Sequence, residues 1–294
     1  MSEAPDPQTV ETALGAVEYV ELGDGGGTPA LAIHGTPGGS DQGALMGRFL
    51  ASAGFRVIAP SRPGYLGTPL TDAVATPDGQ ADLYAALLDE LGIDRTAVLA
   101  WSGSGPSSYR FAAKHPERLT ALTAAAAVSK RYEVEATTTD GFMFGTRAGN
   151  WLMRVLVKHA PEQVVQGELD AEGDLTKEQL EDLTAKVMDD PEMRSFALGM
   201  ALTVETRGER HAGYENDLAQ FAEITDLGLA EIEAPVLLIQ GTADIDVPPE
   251  YSATAAAAIR GAELVEIVAG THLALYLSDD AGAVQARVAD FLST

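Results

Sequence analysis

The sequence has 294 residues, with 44 acidic and 19 basic side chains, 46% apolar residues and no cysteine. Its net charge of -25 argues against a protein that follows a nucleic-acid backbone, because such proteins neutralise phosphates with clustered lysine and arginine. An acidic membrane surface would repel the chain in the same way. The lack of cysteine excludes disulfide frameworks, thiol nucleophiles and cysteine zinc sites.

The first ten residues, MSEAPDPQTV, contain neither a positively charged segment nor an apolar one, and no run of eighteen apolar residues occurs. We therefore expect a cytoplasmic protein that does not bind membranes and that is a monomer or a homodimer. Acidic residues are spread over the whole chain, which is typical of a surface adapted to high salt. An ordinary acidic surface is the alternative.

Short apolar runs alternate with helix-length amphipathic stretches in the first and last parts of the chain. This alternation predicts an α/β fold, with a mostly parallel eight-stranded sheet and helices on both faces. The first two strands are separated by a turn at residues 14–15, which predicts a hairpin at one edge. The predicted strands are 8–13, 16–22, 30–34, 55–60, 96–101, 119–127, 235–240 and 262–268. The predicted helices are 40–53, 78–92, 103–114, 249–259 and 281–293.

The strand pattern stops between residues 131 and 232. Thr176 gives one helix of this region a capped start and Pro191 opens another. We therefore predict a core of residues 1–130 and 233–294 and an inserted helical cap of residues 131–232. Few contacts with the core are expected to hold this insert, which would make it the least stable part. Its predicted helices are 143–159, 161–169, 176–189, 191–206 and 211–222.

The segment AWSGSGP at 100–106 joins a predicted strand to a predicted helix. Ser102 follows the strand directly, which puts its hydroxyl on a tight turn beside a helix N-terminus. Such a turn needs small residues two positions before and after the serine, and Ala100 and Ser104 replace the usual glycines there. Ser104 is the rival nucleophile, although Pro106 then stands two positions after it. A Ser/Gly-rich helix start without chemistry is the alternative interpretation.

A second segment, HGTPGG at 34–39, follows the predicted third strand. Glycine-rich turns of this kind direct backbone N–H groups in front of the sheet, where they stabilise negative charge on a carbonyl oxygen. The N–H groups of Thr36 and Gly103 are the expected pair. A phosphate-binding loop is the alternative, but neither G-x-G-x-x-G nor G-K-[ST] is present. We expect His34 to tie this turn down by hydrogen bonds.

Two further loops follow predicted strands near the end of the chain. Asp244 and Asp246 lie in GTADIDVPP at 241–249, and His272 lies in AGTHLAL at 269–275. The chain order of serine, aspartate and histidine, each just past a strand, is the order of a serine hydrolase triad on a parallel sheet. At this point either aspartate can be the acid.

These motifs, together with SRPGYLGT at 61–68, resemble those of the α/β-hydrolase superfamily over nearly the whole chain. In that family the acid lies in G-x-x-D-x-x-V-P, and this resemblance selects Asp244 over Asp246. The prolyl-iminopeptidase-like members share a similar oxyanion turn, but their usual Gly-Gly-Ser-Trp-Gly elbow is absent here. The serine disfavours members with an aspartate nucleophile. The resemblance implies a catalytic triad and an oxyanion hole made of Ser102, Asp244, His272, Thr36 and Gly103.

The resemblance also implies hydrolysis of an ester-like bond of a small molecule through an acyl-enzyme, with no metal and no organic cofactor. Aminopeptidase or amidase action, lactone opening and C–C bond hydrolysis on the same triad stay open, as does a slow-turnover ligand-binding receptor. The start of the insert is expected to form part of the substrate pocket, although apolar stripes of this kind also pack in cores. The candidate substrate contacts are Trp101, Phe142, Met143 and Trp151.

Overall fold

The computed structural model describes residues 5–133 and 145–294. An eight-stranded sheet lies at the centre, in the order β1-β2-β4-β3-β5-β6-β7-β8. The β1–β2 and β2–β4 pairs are antiparallel and the other pairs are parallel, as the alternating pattern predicts. The strands are β1 (Gln8–Thr12), β2 (Gly15–Leu22), β3 (Thr28–Ile33), β4 (Phe55–Pro60), β5 (Thr96–Trp101), β6 (Leu119–Ala125), β7 (Val236–Gly241) and β8 (Glu263–Ile267).

Two strand ends differ from the prediction for local backbone reasons. The β1–β2 turn comprises residues 13–14, and Gly15 already pairs with Thr12 as the first residue of β2. Gly15 has a φ of 123°, which glycine adopts without the strain of a Cβ. β6 ends at Ala125, two residues earlier than predicted, because Ala126 has a φ of 46° and leaves the extended conformation.

Helices cover both faces of the sheet. In β3, Leu31 and Ile33 belong to the apolar cluster that includes α2 and α3, whereas Ala30 and Ala32 belong to the cluster that includes α1 and α10. This alternation follows from the period of two in a strand. The helices of the described residues are α1 (Ser40–Ser52), α2 (Pro77–Glu90), α3 (Gly105–Lys114), α4 (Arg147–His159), α5 (Pro161–Ala171), α6 (Lys177–Asp189), α7 (Pro191–Met200), α8 (His211–Glu223), α9 (Glu250–Ala258) and α10 (Ala281–Leu292).

Helices α4 to α8 lie between β6 and β7 in the chain, as predicted for the insert. The capped start at Thr176 is confirmed, since its hydroxyl accepts from Gln179 N–H while the Gln179 side chain accepts from Thr176 N–H. The helix predicted for 143–159 begins at Arg147, behind the N-cap Thr146. The helix predicted for 191–206 is too long, because α7 ends at Met200 and the next residues form tight turns.

The insert packs against the sheet side that carries α1 and α10. Val165, Leu169, Val187, Phe196 and Met200 are buried in the same apolar cluster as Leu45 of α1 and Val284 of α10. The expectation of few core contacts is therefore wrong for α5, α6 and α7, which share a core with the sheet. None of the helices in residues 5–133 and 145–294 is long and apolar enough to cross a membrane.

Candidate active site

Ser102 lies on a sharp turn between β5 and α3. Its φ of 54° falls in the left-handed region, which a non-glycine residue occupies only when the surrounding contacts hold it there. The carbonyl of Ser102 accepts a 3.1 Å hydrogen bond from Val128 N–H. Gly105 lies against the same segment, since a Cβ there would meet Val128 O at 2.3 Å. The turn is therefore held between β5, the start of α3 and the chain that follows β6.

Ser104 closes this turn with its side chain. Its hydroxyl accepts from the backbone N–H of Trp101 at 2.8 Å and donates to the Trp101 carbonyl at 2.9 Å. Both bonds are buried, and Ser104 has no exposed surface. This geometry gives Ser104 a structural role and favours Ser102 as the reactive hydroxyl.

Asp244 and His272 form a buried pair at the carboxyl ends of β7 and β8. Asp244 Oδ2 lies 2.9 Å from His272 Nδ1. The other carboxylate oxygen accepts from the backbone N–H groups of Asp246 and Val247, at 3.0 and 2.9 Å. The side chain of Gln240 also donates to Asp244 Oδ2 at 3.0 Å. Four donors thus fix the carboxylate, which in turn fixes the orientation of the imidazole.

Trp101 connects the serine turn with this pair. Its indole ring lies 4.8 Å from the His272 ring, measured between centroids, and its Nε1–H donates to the His272 carbonyl at 3.2 Å. Trp101 directly precedes Ser102 and is 5% exposed. The structure therefore brings the predicted serine turn and the Asp–His pair to one edge of the sheet. It gives the indole of Trp101 a role in supporting His272.

Two more carboxylates approach His272. Asp246 Oδ2 lies 3.3 Å from Nε2, the ring nitrogen opposite the one that Asp244 holds. Glu172, just past α5, accepts a 3.0 Å hydrogen bond from His272 N–H through its backbone carbonyl. Burial by itself lowers the pKa of His272, but the charges of Asp244, Asp246 and Glu172 outweigh it and raise the pKa to about 10.

The approach of Glu172 has no counterpart in the sequence analysis. Glu172 lies in an acidic stretch of the insert, where nothing in the local pattern distinguishes it from a solvated residue. Burial of the carboxyl group of the neighbouring Glu168, together with the charge of Glu172, raises the pKa of Glu168 well above its usual range. The Asp–His pair therefore lies against a strongly acidic part of the insert.

Gly103 lies against the side chain of Thr36, the other residue of the predicted oxyanion pair. A Cβ on Gly103 would meet Thr36 Oγ1 at 2.1 Å, so the approach depends on glycine. His34 ties the turn down as predicted: its Nδ1 lies 2.8 Å from the Gly35 carbonyl and its Nε2 accepts from Arg62 N–H at 2.9 Å. Burial and the nearby Arg62 hold the pKa of His34 well below its usual range, so this ring is neutral.

A buried polar network joins this turn to α8. Asp217 accepts from the hydroxyls of Thr36 and Tyr65, both at 2.6 Å, and pairs with Arg62 at 2.5 Å. Arg62, Tyr65 and Asp217 are each at most 2% exposed. Burial raises the pKa of Asp217, and the Arg62 guanidinium opposes that shift. Arg62 and Tyr65 belong to the SRPGYLGT motif, whereas no sequence signal singled out Asp217.

The other predicted substrate contacts lie in the insert. Phe142 and Met143 are outside the described residues. Trp151 on α4 is 66% exposed. Its contact with a substrate stays a prediction.

Comparison with known proteins agrees with this architecture. A family model described as alpha/beta hydrolase fold matches residues 29–279. An uncharacterized hydrolase of Bacillus subtilis, YcgS, is 28% identical over 98% of this chain and 98% of its own. An alpha/beta hydrolase fold protein from Nakamurella multipartita has 47% identity and a TM-score of 0.94, over 98% of this chain and 99% of that one.

A more distant structure shares the fold alone. The enol-lactonase from Burkholderia xenovorans LB400 is 18% identical, with a TM-score of 0.68 over 98% of this chain and 100% of that chain. The family match extends from β3, across the insert, to the loop that precedes α10. The chain therefore belongs to the α/β hydrolase fold family.

Proposed function

We propose that this protein hydrolyses an ester-like bond of a small molecule through an acyl-enzyme, with Ser102 as nucleophile, His272 as base and Asp244 as the orienting acid. The observation that carries the proposal is the 2.9 Å contact between Asp244 and His272 Nδ1, on a ring that packs against the residue preceding Ser102. The left-handed backbone at Ser102 supports it, because strained backbone of this kind is concentrated at functional sites.

In the first step, Ser102 Oγ attacks the substrate carbonyl and His272 Nε2 takes the hydroxyl proton. The Nδ1–H group stays directed at Asp244, which stabilises the imidazolium that forms. Because Asp246 lies 3.3 Å from Nε2, the imidazole must exchange this neighbour for the serine hydroxyl. The tetrahedral intermediate then collapses, and the imidazolium gives its proton to the departing alcohol.

The N–H groups of Thr36 and Gly103 are assigned to the oxygen that becomes negatively charged during the attack. The close approach of Gly103 to the Thr36 side chain, which leaves no room for a Cβ on Gly103, supports this assignment. Water then attacks the acyl-enzyme by the same route in reverse, with His272 again taking a proton. This second attack releases the acid and restores Ser102.

We assign the insert, residues 131–232, as a cap that covers the substrate. The hydrogen bond from Thr36 to Asp217 of α8 supports this role, because it joins the insert to the oxyanion turn. The contact between Glu172 and His272 supports it from the other side of the site. Trp151, Phe142 and Met143 remain the candidate contacts of the acyl or alcohol group.

Covalent labelling with a fluorophosphonate probe tests the nucleophile. Ser102→Ala is expected to abolish labelling, and Ser104→Ala is expected to keep it, since among the described residues the Ser104 hydroxyl bonds only to the Trp101 backbone of its own turn. Labelling that survives in Ser102→Ala and disappears in Ser104→Ala would reverse the assignment. Circular dichroism of both variants shows whether the turn still folds.

A panel of p-nitrophenyl esters with increasing acyl length tests the reaction class. Turnover of these esters, lost in Ser102→Ala and strongly reduced in Asp244→Asn, is the expected result. Faster turnover of amides, of lactones or of vinylogous diketones than of every ester would replace ester hydrolysis with amide hydrolysis, lactone opening or C–C bond hydrolysis, respectively. Labelling of Ser102 without turnover of any of these substrates would favour a receptor.

A further inference from the structure

Three side chains from distant parts of the chain converge around His272, whose ring packs against Trp101, the residue before Ser102. Glu172 follows α5, Asp246 lies in the loop after β7, and His272 follows β8. One ligand atom of each lies within 4.8 Å of the others. The backbone hydrogen bond from His272 to Glu172, at 3.0 Å, keeps the insert in register with the other two loops.

His272 Nε2 is directed into this cluster. The side chain is 1% exposed, and Nε2 makes no hydrogen bond within residues 5–133 and 145–294. The nearby Asp246 Oδ2, at 3.3 Å, belongs to the same cluster. A buried ring nitrogen beside two carboxylates is an arrangement that a cation satisfies, either the protonated ring itself or a metal ion that replaces its proton.

The hydrogen bond at Nδ1, on the opposite side of the ring, also suits His272 to act as a metal ligand through Nε2. Asp244 holds Nδ1 at 2.9 Å, so the ring proton that a metal ion displaces is the one on Nε2, and its loss leaves the Nε2 lone pair for coordination. A carboxylate behind a ligating histidine orients the ring and increases its basicity. Asp244 is itself fixed by Gln240, so the ligand shell would be supported by a second layer of hydrogen bonds.

We propose that Glu172, Asp246 and His272 form a site for a divalent ion of the zinc class, and that an ion bound there stops hydrolysis at the neighbouring serine. One imidazole nitrogen and two carboxylate oxygens suit Zn²⁺, which binds them at about 2.0–2.2 Å. Mg²⁺ suits the site poorly, because it favours octahedral oxygen ligands.

Inhibition follows from the identity of one atom. His272 Nε2 has a single lone pair, and the proposed hydrolysis needs it to take the proton of Ser102. Coordination to a metal ion occupies that lone pair, and a ring that was protonated beforehand releases its Nε2 proton to solvent. The inhibitory effect thus rests on the proposed function, whereas binding of the ion does not.

Calorimetric titration of chelator-stripped protein with ZnCl₂ tests the binding directly. Wild-type protein is expected to bind one Zn²⁺ and to bind MgCl₂ much more weakly. Glu172→Gln is expected to weaken Zn²⁺ binding at least about tenfold, while Glu11→Gln on the edge strand β1 leaves it unchanged. Asp246→Asn changes a second proposed ligand, so the site can still be tested if Glu172→Gln fails to fold.

The same variants are then assayed for ester hydrolysis, each relative to its own rate without metal. Zn²⁺ is expected to inhibit the wild type reversibly, with EDTA restoring activity, and to inhibit Glu172→Gln only at about tenfold higher concentration. Equal Zn²⁺ affinity in wild type and Glu172→Gln, or equal affinity for Mg²⁺, would overturn the site. Zn²⁺ binding that depends on Glu172 in a protein that hydrolyses no ester would leave the site standing and reject the proposed hydrolysis instead.

Discussion

Asp217 on α8 accepts a 2.6 Å hydrogen bond from the hydroxyl of Thr36, a residue 181 positions earlier in the chain. The same carboxylate pairs with Arg62, so one buried charge pair joins the insert to the predicted oxyanion turn. The pair is almost fully excluded from solvent, where an uncompensated charge is costly.

Asp217→Asn is therefore expected to weaken both stability and turnover. Breaking a buried pair leaves Arg62 uncompensated, which costs about 3–5 kcal/mol in the free energy of unfolding. In the hydrolysis assay we expect kcat to fall more than KM rises, since asparagine has one acceptor oxygen where the carboxylate has two, and Thr36, Tyr65 and Arg62 then compete for it. Urea unfolding and steady-state kinetics measure the two effects.

A double variant separates packing from positioning. Arg62→Met combined with Asp217→Leu removes both charges and is expected to recover most of the stability, because apolar replacement of a buried pair is often neutral. The kcat of this variant should stay low. Recovery of kcat together with stability would mean that the network acts through folding alone.

The approach of Gly103 to Thr36 gives a second prediction. Gly103→Ala places a methyl group 2.1 Å from Thr36 Oγ1 and 2.7 Å from Thr36 Cβ, so the two residues must move apart. Loss of one oxyanion donor costs about 10²–10³ in kcat, and we expect a decrease of that order in ester turnover.

Gly167→Ala on α5 is the matched control. A Cβ there meets no atom within 4 Å, and alanine is favoured over glycine in a helix by about 1 kcal/mol. This variant should unfold at slightly higher urea and keep full activity. Wild-type kcat in Gly103→Ala would rule out a tight Thr36–Gly103 pair in catalysis.

The carboxylates around His272 predict an alkaline pH profile. With a pKa of about 10, the ring is protonated at neutral pH, and only the neutral ring can take a proton from Ser102. In buffer with EDTA, kcat/KM should rise as the pH approaches 10. Asp246→Asn removes one of the charges that raise this pKa, so its profile should shift to lower pH; an unshifted profile would contradict this account.

The same group affects stability. The pKa of His272 in the folded protein lies above the ordinary histidine value of 6.5, so its stabilising contribution is complete below pH 6.5 and is lost as the pH rises through 10. Chemical unfolding between these values should show a falling free energy, with a smaller fall in Asp246→Asn. An equal fall in both proteins would assign the effect to other groups.

The net charge of -25 predicts a dependence on salt. The screening length shortens from about 30 Å at 0.01 M to about 3 Å at 1 M, which removes repulsion among exposed carboxylates. The Tm is expected to rise steeply between dilute buffer and molar KCl. KCl is chosen because sulfate salts strengthen apolar burial in any protein. A constant Tm would leave the acidity as a feature of solubility.

Local pattern was sufficient for the strands, the helices and the order of the three candidate catalytic residues. A short apolar run predicts a buried strand, and functional loops in parallel sheets lie at the carboxyl ends of the strands. Ser102, Asp244 and His272 each follow such a strand, so each could be found without knowing its neighbours. The boundaries of α4 and α7 were less accurate, because caps and tight turns there ended helices that the apolar pattern extended.

The contacts of Asp217, Glu172 and Asp246 could be decided only by the tertiary structure. Asp217 and Glu172 are acidic residues in polar stretches of a very acidic chain, so their local sequences look like solvated surface, and the sequence offered Asp246 only as an alternative to Asp244. Asp217 becomes buried because α8 packs over the two segments that hold Thr36 and Arg62. Glu172 reaches His272 because the chain after α5 pairs with the loop after β7. Burial and charge pairing depend on which distant segments come into contact. Hydrophobic periodicity reports only the local secondary structure, so it does not indicate those contacts.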